Sequence, residues 1–474
     1  MKKLALFFFY VFVANAAAAA DLPSLGDSED SIVSKIDRRQ LGKAIMYRLR
    51  KSDRYLDDPE IEGYINRIGY RLVSNSPVAA ERIEFFVISD RSLNAFALPG
   101  GFIGVHTGLI QKVRSESELA SVLAHEIAHV SQRHIARMIA SQKRTGMASM
   151  AALAVAILAS RSSGSASAAA ITAAQAGLIQ NKLNFSREYE READRIGLKI
   201  IRNSSFDEHA VESFLKFMQR TTESSVAGAP SYMRTHPFFY ERLADIQNRL
   251  QNSPYKQIPD SIDFKLVRAR IEAQTDFPKK SVEHFKNKLS QKNYTSEVAT
   301  AYGLTFSFYL AREYTEAKKM ARYMMRLDSQ DPMVLGLAAE TLVKSGDVAD
   351  GLGIFERALA DFPNRLPLVI GYAKALMDSG SALKAVDFLD KQIFKYKNES
   401  RLFELQSKGY ALTGNKLLQH RAQAEAYFHK GELSSAIEQL EIAKLNGDGN
   451  FFEKSSLDAR LKQFIELREA LKSR

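Results

Sequence analysis

A histidine, a glutamate and a second histidine one helical turn on, His125-Glu126-Ile127-Ala128-His129, constrain this chain more than any other stretch of it. Side chains four residues apart stack on one helix face, so both imidazoles can point at one ion. Zinc takes neutral imidazole nitrogens at about 2.0–2.1 Å, and two such histidines with a neighbouring glutamate are the core of a zinc hydrolase site. The helix itself is well signalled. Ser115 and Glu118 have capping-box spacing, and Leu119, Val122, Leu123, Ile127 and Val130 recur near the 3.6-residue period. A histidine pair inside that apolar stripe is either desolvated without reward or binds something.

At 474 residues the chain has room for two or three domains. Its formal charge of +11 is spread along the sequence rather than gathered in one block, which argues against a nucleic-acid partner. Lys2 and Lys3 precede an apolar run from Leu4 to Val13, and Ala16 to Ala20 offer small-residue cleavage sites before Asp21. This is the pattern of a cleavable signal peptide over residues 1–20 and predicts a periplasmic address. With no cysteine, the chain has neither a disulfide framework nor a lipid-attachment cysteine.

Residues 31–76 read as helical, with a break at Asp57-Asp58-Pro59, and Ile83 to Ile88 reads as a strand. Asn94 to Gly101 reads as a turn-rich link. The next segment, Phe102-Ile103-Gly104-Val105-His106-Thr107, reads as a short strand ahead of the metal helix, with a free edge to which an extended substrate peptide can add. Two apolar arms, 147–160 and 166–179, are each shorter than the roughly 20 residues of a membrane span. They predict a hairpin over the active site or a peripheral membrane contact.

A two-histidine zinc site needs a third protein ligand. Glu188, Glu190, Glu192 and Asp194 are the nearby supply, and spacing does not choose among them. Glu190 and Asp194 share a helix face, so one can bind the ion while the other orients a histidine from behind. Further on, Thr235-His236-Pro237 fixes a histidine ahead of a proline; it could stabilise an oxyanion or fill the ion's open position.

From about residue 265 the pattern turns to paired amphipathic helices. Ser345-Gly346 and Ser379-Gly380 are 34 residues apart, as are Ala317, Gly351 and Ala385. That is the period of tetratricopeptide repeats, which stack into curved surfaces that hold other proteins. The pattern restarts at Gly431, so one unit near 400–425 reads as irregular.

Taken together, HExxH, Glu190-x-x-x-Asp194 and His236-Pro-x-x-x-x-Arg242 resemble the gluzincin metalloproteases that include HtpX, Oma and the CAAX prenyl proteases. The signal peptide and repeat tail narrow the resemblance to BepA-type periplasmic members. It implies His125, His129 and Glu190 as ligands of one zinc ion, Glu126 as general base and His236 as a catalytic residue close to the metal. Asp194 and Arg242 are implied in support. His134 lacks the spacing of a third histidine ligand and reads as structural. The implied fold is an α+β zincin-like protease domain over 21–260, mostly helical with a small sheet, followed by an all-α repeat solenoid over 265–474. The implied substrates are unfolded or stalled polypeptides, outer-membrane β-barrel proteins and their assembly machinery among the partners. The alternative is a metal-free repeat scaffold or chaperone with a vestigial protease domain.

Overall fold

Asp58 starts the helix on which the amino-terminal half is built. Its carboxylate accepts from the backbone N–H of Glu60 and Ile61, and Pro59 occupies the first turn, where a missing N–H costs nothing. The break expected at Asp57-Asp58-Pro59 therefore separates α1 (Lys35–Arg50) from α2 (Pro59–Val73). The structure, a computed structural model, describes residues 35–76, 82–141, 187–223, 231–237, 239–328, 330–446 and 448–472. The expected signal peptide and both apolar arms lie outside the described residues. Among the described residues, no helix is long and apolar enough to cross a membrane.

Three strands follow: β1 (Glu84–Ile88), β2 (Ala95–Leu98) and β3 (Phe102–His106). Their order is β1-β3-β2, with β1 parallel and β2 antiparallel to β3. This corrects the expected substrate edge. Phe102, Ile103, Gly104, Val105 and His106 form the central strand, buried throughout and paired on both sides, while Thr107 already belongs to the next helix. The stretch expected to be a turn-rich link supplies the covering strand. Gly100 and Gly101, with φ of +78° and +83°, reverse the chain so that β2 folds back onto β3. Phe86 and Phe96 close over Gly104 from the two flanking strands, leaving no room for a side chain there.

Helix α3 (Thr107–Lys112) leads into α4 (Glu116–Ser131), which begins as expected with Ser115 accepting from the Glu118 N–H. Every residue of α4 from Ser117 to His129 is buried. Next come α5 (His134–Ser141), α6 (Arg187–Asn203), α7 (His209–Glu223), α8 (Ser231–Thr235) and α9 (Phe239–Leu250). Gly197 lets α6 approach α4 closely: a Cβ there would lie 3.3 Å from the backbone N and Cα of His125.

Twelve more helices run from Ile262 to Lys472 among the described residues. Gly346, Gly380 and Gly414 all have positive φ, so the 34-residue spacing continues through the unit expected to be irregular. That unit is an ordinary helix pair, Ser400–Thr413 and Lys416–Lys430. The array curls back onto the amino-terminal half. Arg365 reaches Glu60 at 3.0 Å and Arg401 reaches Glu62 at 3.1 Å, both on α2. One apolar core runs from Ile61 and Ile65 through Leu123 and Ile127 to Phe264, Val267, Tyr302 and Leu337, so the first repeats and the amino-terminal half share an interior.

Candidate metal centre

Helix α4 carries His125, Glu126 and His129; α6 brings Glu190 and Asp194 across the Gly197 contact. His236 follows the last turn of α8, held by its N–H donating to the Tyr232 carbonyl at 2.8 Å. Arg242 comes from α9. All seven side chains are buried.

Four of them converge. His129 Nε2 lies 2.9 Å from His125 Nε2, and His236 Nδ1 lies 3.3 Å from His125 Nε2 and 3.1 Å from Glu190 Oε1. Glu190 Oε1 is 3.5 Å from His129 Nε2, and Glu190 Oε2 is 3.3 Å from His125 Nε2. Donors at about 2.0–2.1 Å around a tetrahedral zinc ion stand roughly 3.3 Å from one another. The observed spacings scatter about that edge length, so these donors fit an ion of that size.

Behind the donors stands a charged layer. Asp194 Oδ1 lies 2.9 Å from His125 Nδ1, which leaves His125 Nε2 facing the cluster. Arg242 donates to both Asp194 oxygens at 2.7 Å and places Nη1 2.8 Å from Glu190 Oε2. Burial and the Arg242 guanidinium push the His125 pKa down, yet the Asp194 and Glu190 carboxylates outweigh them and hold it up at about 9. A divalent ion held by His125 would have to displace that proton. His129 goes the other way: burial first, then the neighbouring His125, keeps it neutral and ready as a ligand. Despite burial, His236 and Arg242 keep Glu190 well below the usual carboxylate range.

Glu126 differs from the other carboxylates. Both its oxygens are buried and accept no hydrogen bond among the described residues, with His236 Nε2 3.3 Å from Oε1. Burial raises its pKa. A carboxylate of raised basicity beside the clustered donors is what a general base requires.

The structure also brings up Tyr232, which spacing did not single out, and gives His134 and Glu192 a place. Tyr232 on α8, four residues before His236, stacks on it with ring centroids 4.5 Å apart. His134 and Glu192 lie directly behind His129. The expected edge residues are apart from the cluster in role: His106 turns its Nδ1 to the Ser92 hydroxyl at 2.8 Å.

Comparison with known proteins agrees with this geometry. The model of peptidase family M48 matches residues 59–250, and a tetratricopeptide repeat model matches 342–409. The beta-barrel assembly-enhancing protease of Escherichia coli (strain K12) is 30% identical over 461 residues, covering 97% of this chain and 94% of that protein. The putative beta-barrel assembly-enhancing protease of Vibrio cholerae is 29% identical over 452 residues, 95% of this chain and 93% of that protein. The mitochondrial metalloendopeptidase OMA1 of Schizosaccharomyces pombe is 32% identical over 194 residues, 41% of this chain and 54% of that protein. Likeness that spans nearly the full length of the Escherichia coli protein decides the assignment: this chain is a metalloprotease and belongs to peptidase family M48.

Proposed function

We propose that the chain is a zinc-dependent endopeptidase of the periplasm in which His125, His129 and Glu190 hold one ion and Glu126 is the general base. The observation that carries this reading is the near-tetrahedral spacing of buried nitrogen and oxygen donors beside a carboxylate that accepts no hydrogen bond among the described residues. Bound zinc would polarise a scissile carbonyl and lower the pKa of water toward 7. Glu126 takes the proton of the attacking water on one carboxylate oxygen and returns it to the leaving amine nitrogen. Burial raises its affinity for that proton and so favours the uptake from water, and the leaving amine, more basic than the carboxylate, then draws the proton off. Asp194 holds His125 from behind, and Arg242 balances the charge of both α6 carboxylates.

Its substrates are unfolded or stalled polypeptides held by the repeat array, in a quality-control role that combines cleavage with chaperone-like binding. The names of the full-length relatives support outer-membrane β-barrel proteins and their assembly machinery as partners. The Lys2-Lys3 and apolar leader supports the periplasmic address. Metal analysis with a casein digestion assay tests the reading. Glu126→Gln should keep about one zinc per chain and lose cleavage; wild-type turnover by that variant would sink it.

A second reading concerns latency. His236 Nδ1 stands among the donors, while its Nε2 faces Glu126, so this ring fills the place a water would take. His236→Ala should then cleave faster than the wild type; slower cleavage favours an oxyanion role instead.

A further inference from the structure

The two histidines of α4 are oriented by different devices. His125 meets a carboxylate directly, through Asp194. His129 does not. Its Nδ1 lies 2.8 Å from Nδ1 of His134, a fully buried residue at the start of α5. His134 turns its other nitrogen to Glu192, with Nε2 3.2 Å from Oε2, and Arg137 donates to the same oxygen at 3.0 Å. The Tyr189 ring lies flat on His134, centroids 4.6 Å apart and planes within 13°. Arg133, with φ of +54°, makes the tight turn between α4 and α5 that brings His134 back over His129.

Proton counting then fixes the arrangement. Two Nδ1 atoms at 2.8 Å share one hydrogen. The Glu192 carboxylate can only accept, so neutral His134 carries its hydrogen on Nε2 and presents a bare Nδ1. His129 must therefore carry its hydrogen on Nδ1, which leaves the Nε2 lone pair free among the other donors. Metal-bound histidines are commonly set by a carboxylate, a carbonyl or water on the far nitrogen. Here a second imidazole stands between the ligand and its carboxylate.

We propose that His134 is a positioning residue for the metal centre: with Glu192 behind it, it locks His129 in the tautomer whose Nε2 can bind an ion. Helix α6 thus has three tasks at alternate positions, with Glu190 among the donors, Glu192 setting His129 through His134, and Asp194 setting His125. The value of the lock for zinc rests on the ligand assignment proposed above, but the tautomer itself does not.

The test uses the full chain. Long-range proton–nitrogen spectra of the histidine rings are recorded on metal-free protein near pH 7.5, with His129 identified by its loss in His129→Gln. Wild type should show His129 with hydrogen on Nδ1 and a bare Nε2. His134→Phe keeps the ring stack but removes the acceptor, and should move His129 toward the Nε2–H form and weaken zinc binding about 10–100-fold. His134→Asn restores an acceptor at the Nδ1 position and should recover most of that loss. Should His134→Phe fail to fold, the part-exposed Glu192→Gln provides the same readouts with a smaller shift. An Nε2–H form in wild type overturns the proposal; so do His129 signals and zinc affinity unchanged in His134→Phe or Glu192→Gln. Wild type with the expected tautomer but no zinc uptake would instead overturn the ligand assignment and leave the lock standing.

Discussion

Arg242 grips Asp194 with two 2.7 Å hydrogen bonds in a fully buried pair, and Asp194 in turn holds His125. The guanidinium also faces Glu190, so one cation offsets two carboxylates that would otherwise be buried side by side. Removing one partner of such a pair costs about 3–5 kcal/mol, because the remaining charge is left without compensation. Arg242→Met should destabilise the metal-free protein by that order in urea unfolding. Saturating zinc should recover part of the loss, since the ion neutralises the same carboxylates.

The raised pKa of His125 sets a pH dependence of definite sign. The unfolded value is near 6.5 and the folded value about 9. Protonation of His125 therefore contributes stability that is fully present below pH 6.5 and is lost as the pH rises through 9. At about 1.4 kcal/mol per pH unit the loss is roughly 3 kcal/mol. Chelator-treated protein should show this fall in unfolding free energy between pH 6.5 and 9. Zinc affinity should move oppositely, rising about tenfold per pH unit over the same window as the competing proton leaves.

Gly197 sets the distance between the two helices that supply the donors. Its missing side chain leaves α6 resting on the backbone of His125. Gly197→Val overpacks that contact and should cost about 1–3 kcal/mol. Because the displaced backbone belongs to a donor residue, zinc affinity should fall too. Isothermal titration separates this from a purely global effect, which would leave the affinity of the folded fraction unchanged.

Beside β3, β2 is an outer strand of the sheet among the described residues, and we predict that a substrate peptide pairs there. The His106 N–H donates to the Asn94 carbonyl, which makes 94 and 106 a hydrogen-bonded pair. Counting by twos along the antiparallel register, Phe96 and Leu98 face β3, while Ala95 and Ala97 turn their backbone groups outward. Ala97→Pro deletes one outward N–H without removing a bond to β3. Cleavage of an unfolded substrate should drop at least several-fold with zinc content unchanged, and unaltered cleavage would exclude this edge.

How much of this was legible in the sequence follows from how local each feature is. HExxH lies on one helix, so periodicity and Ser115 sufficed to place it. Glu190 and Asp194 were legible as a pair on one face, but choosing the ligand among four acids required the family resemblance, because the crossing of α4 and α6 is a long-range fact. The β2 strand escaped because Ala95–Leu98 is four residues long and poor in β-branched side chains. Spacing makes His134 read as structural and is silent on its contact with His129, which depends on the left-handed turn at Arg133. The unit around Gly414 was misjudged although that glycine stands 34 residues after Gly380; its flanking residues hide the repeat.

The interior shared across residues 260–265 means that scissors applied there would not yield two independent pieces. A protease fragment ending before Phe264 would expose the apolar wall that the first repeats cover, and α2 would lose its arginine partners Arg270, Arg365 and Arg401. Cargo tugging on the array would thus pull on the same helix that braces the sheet.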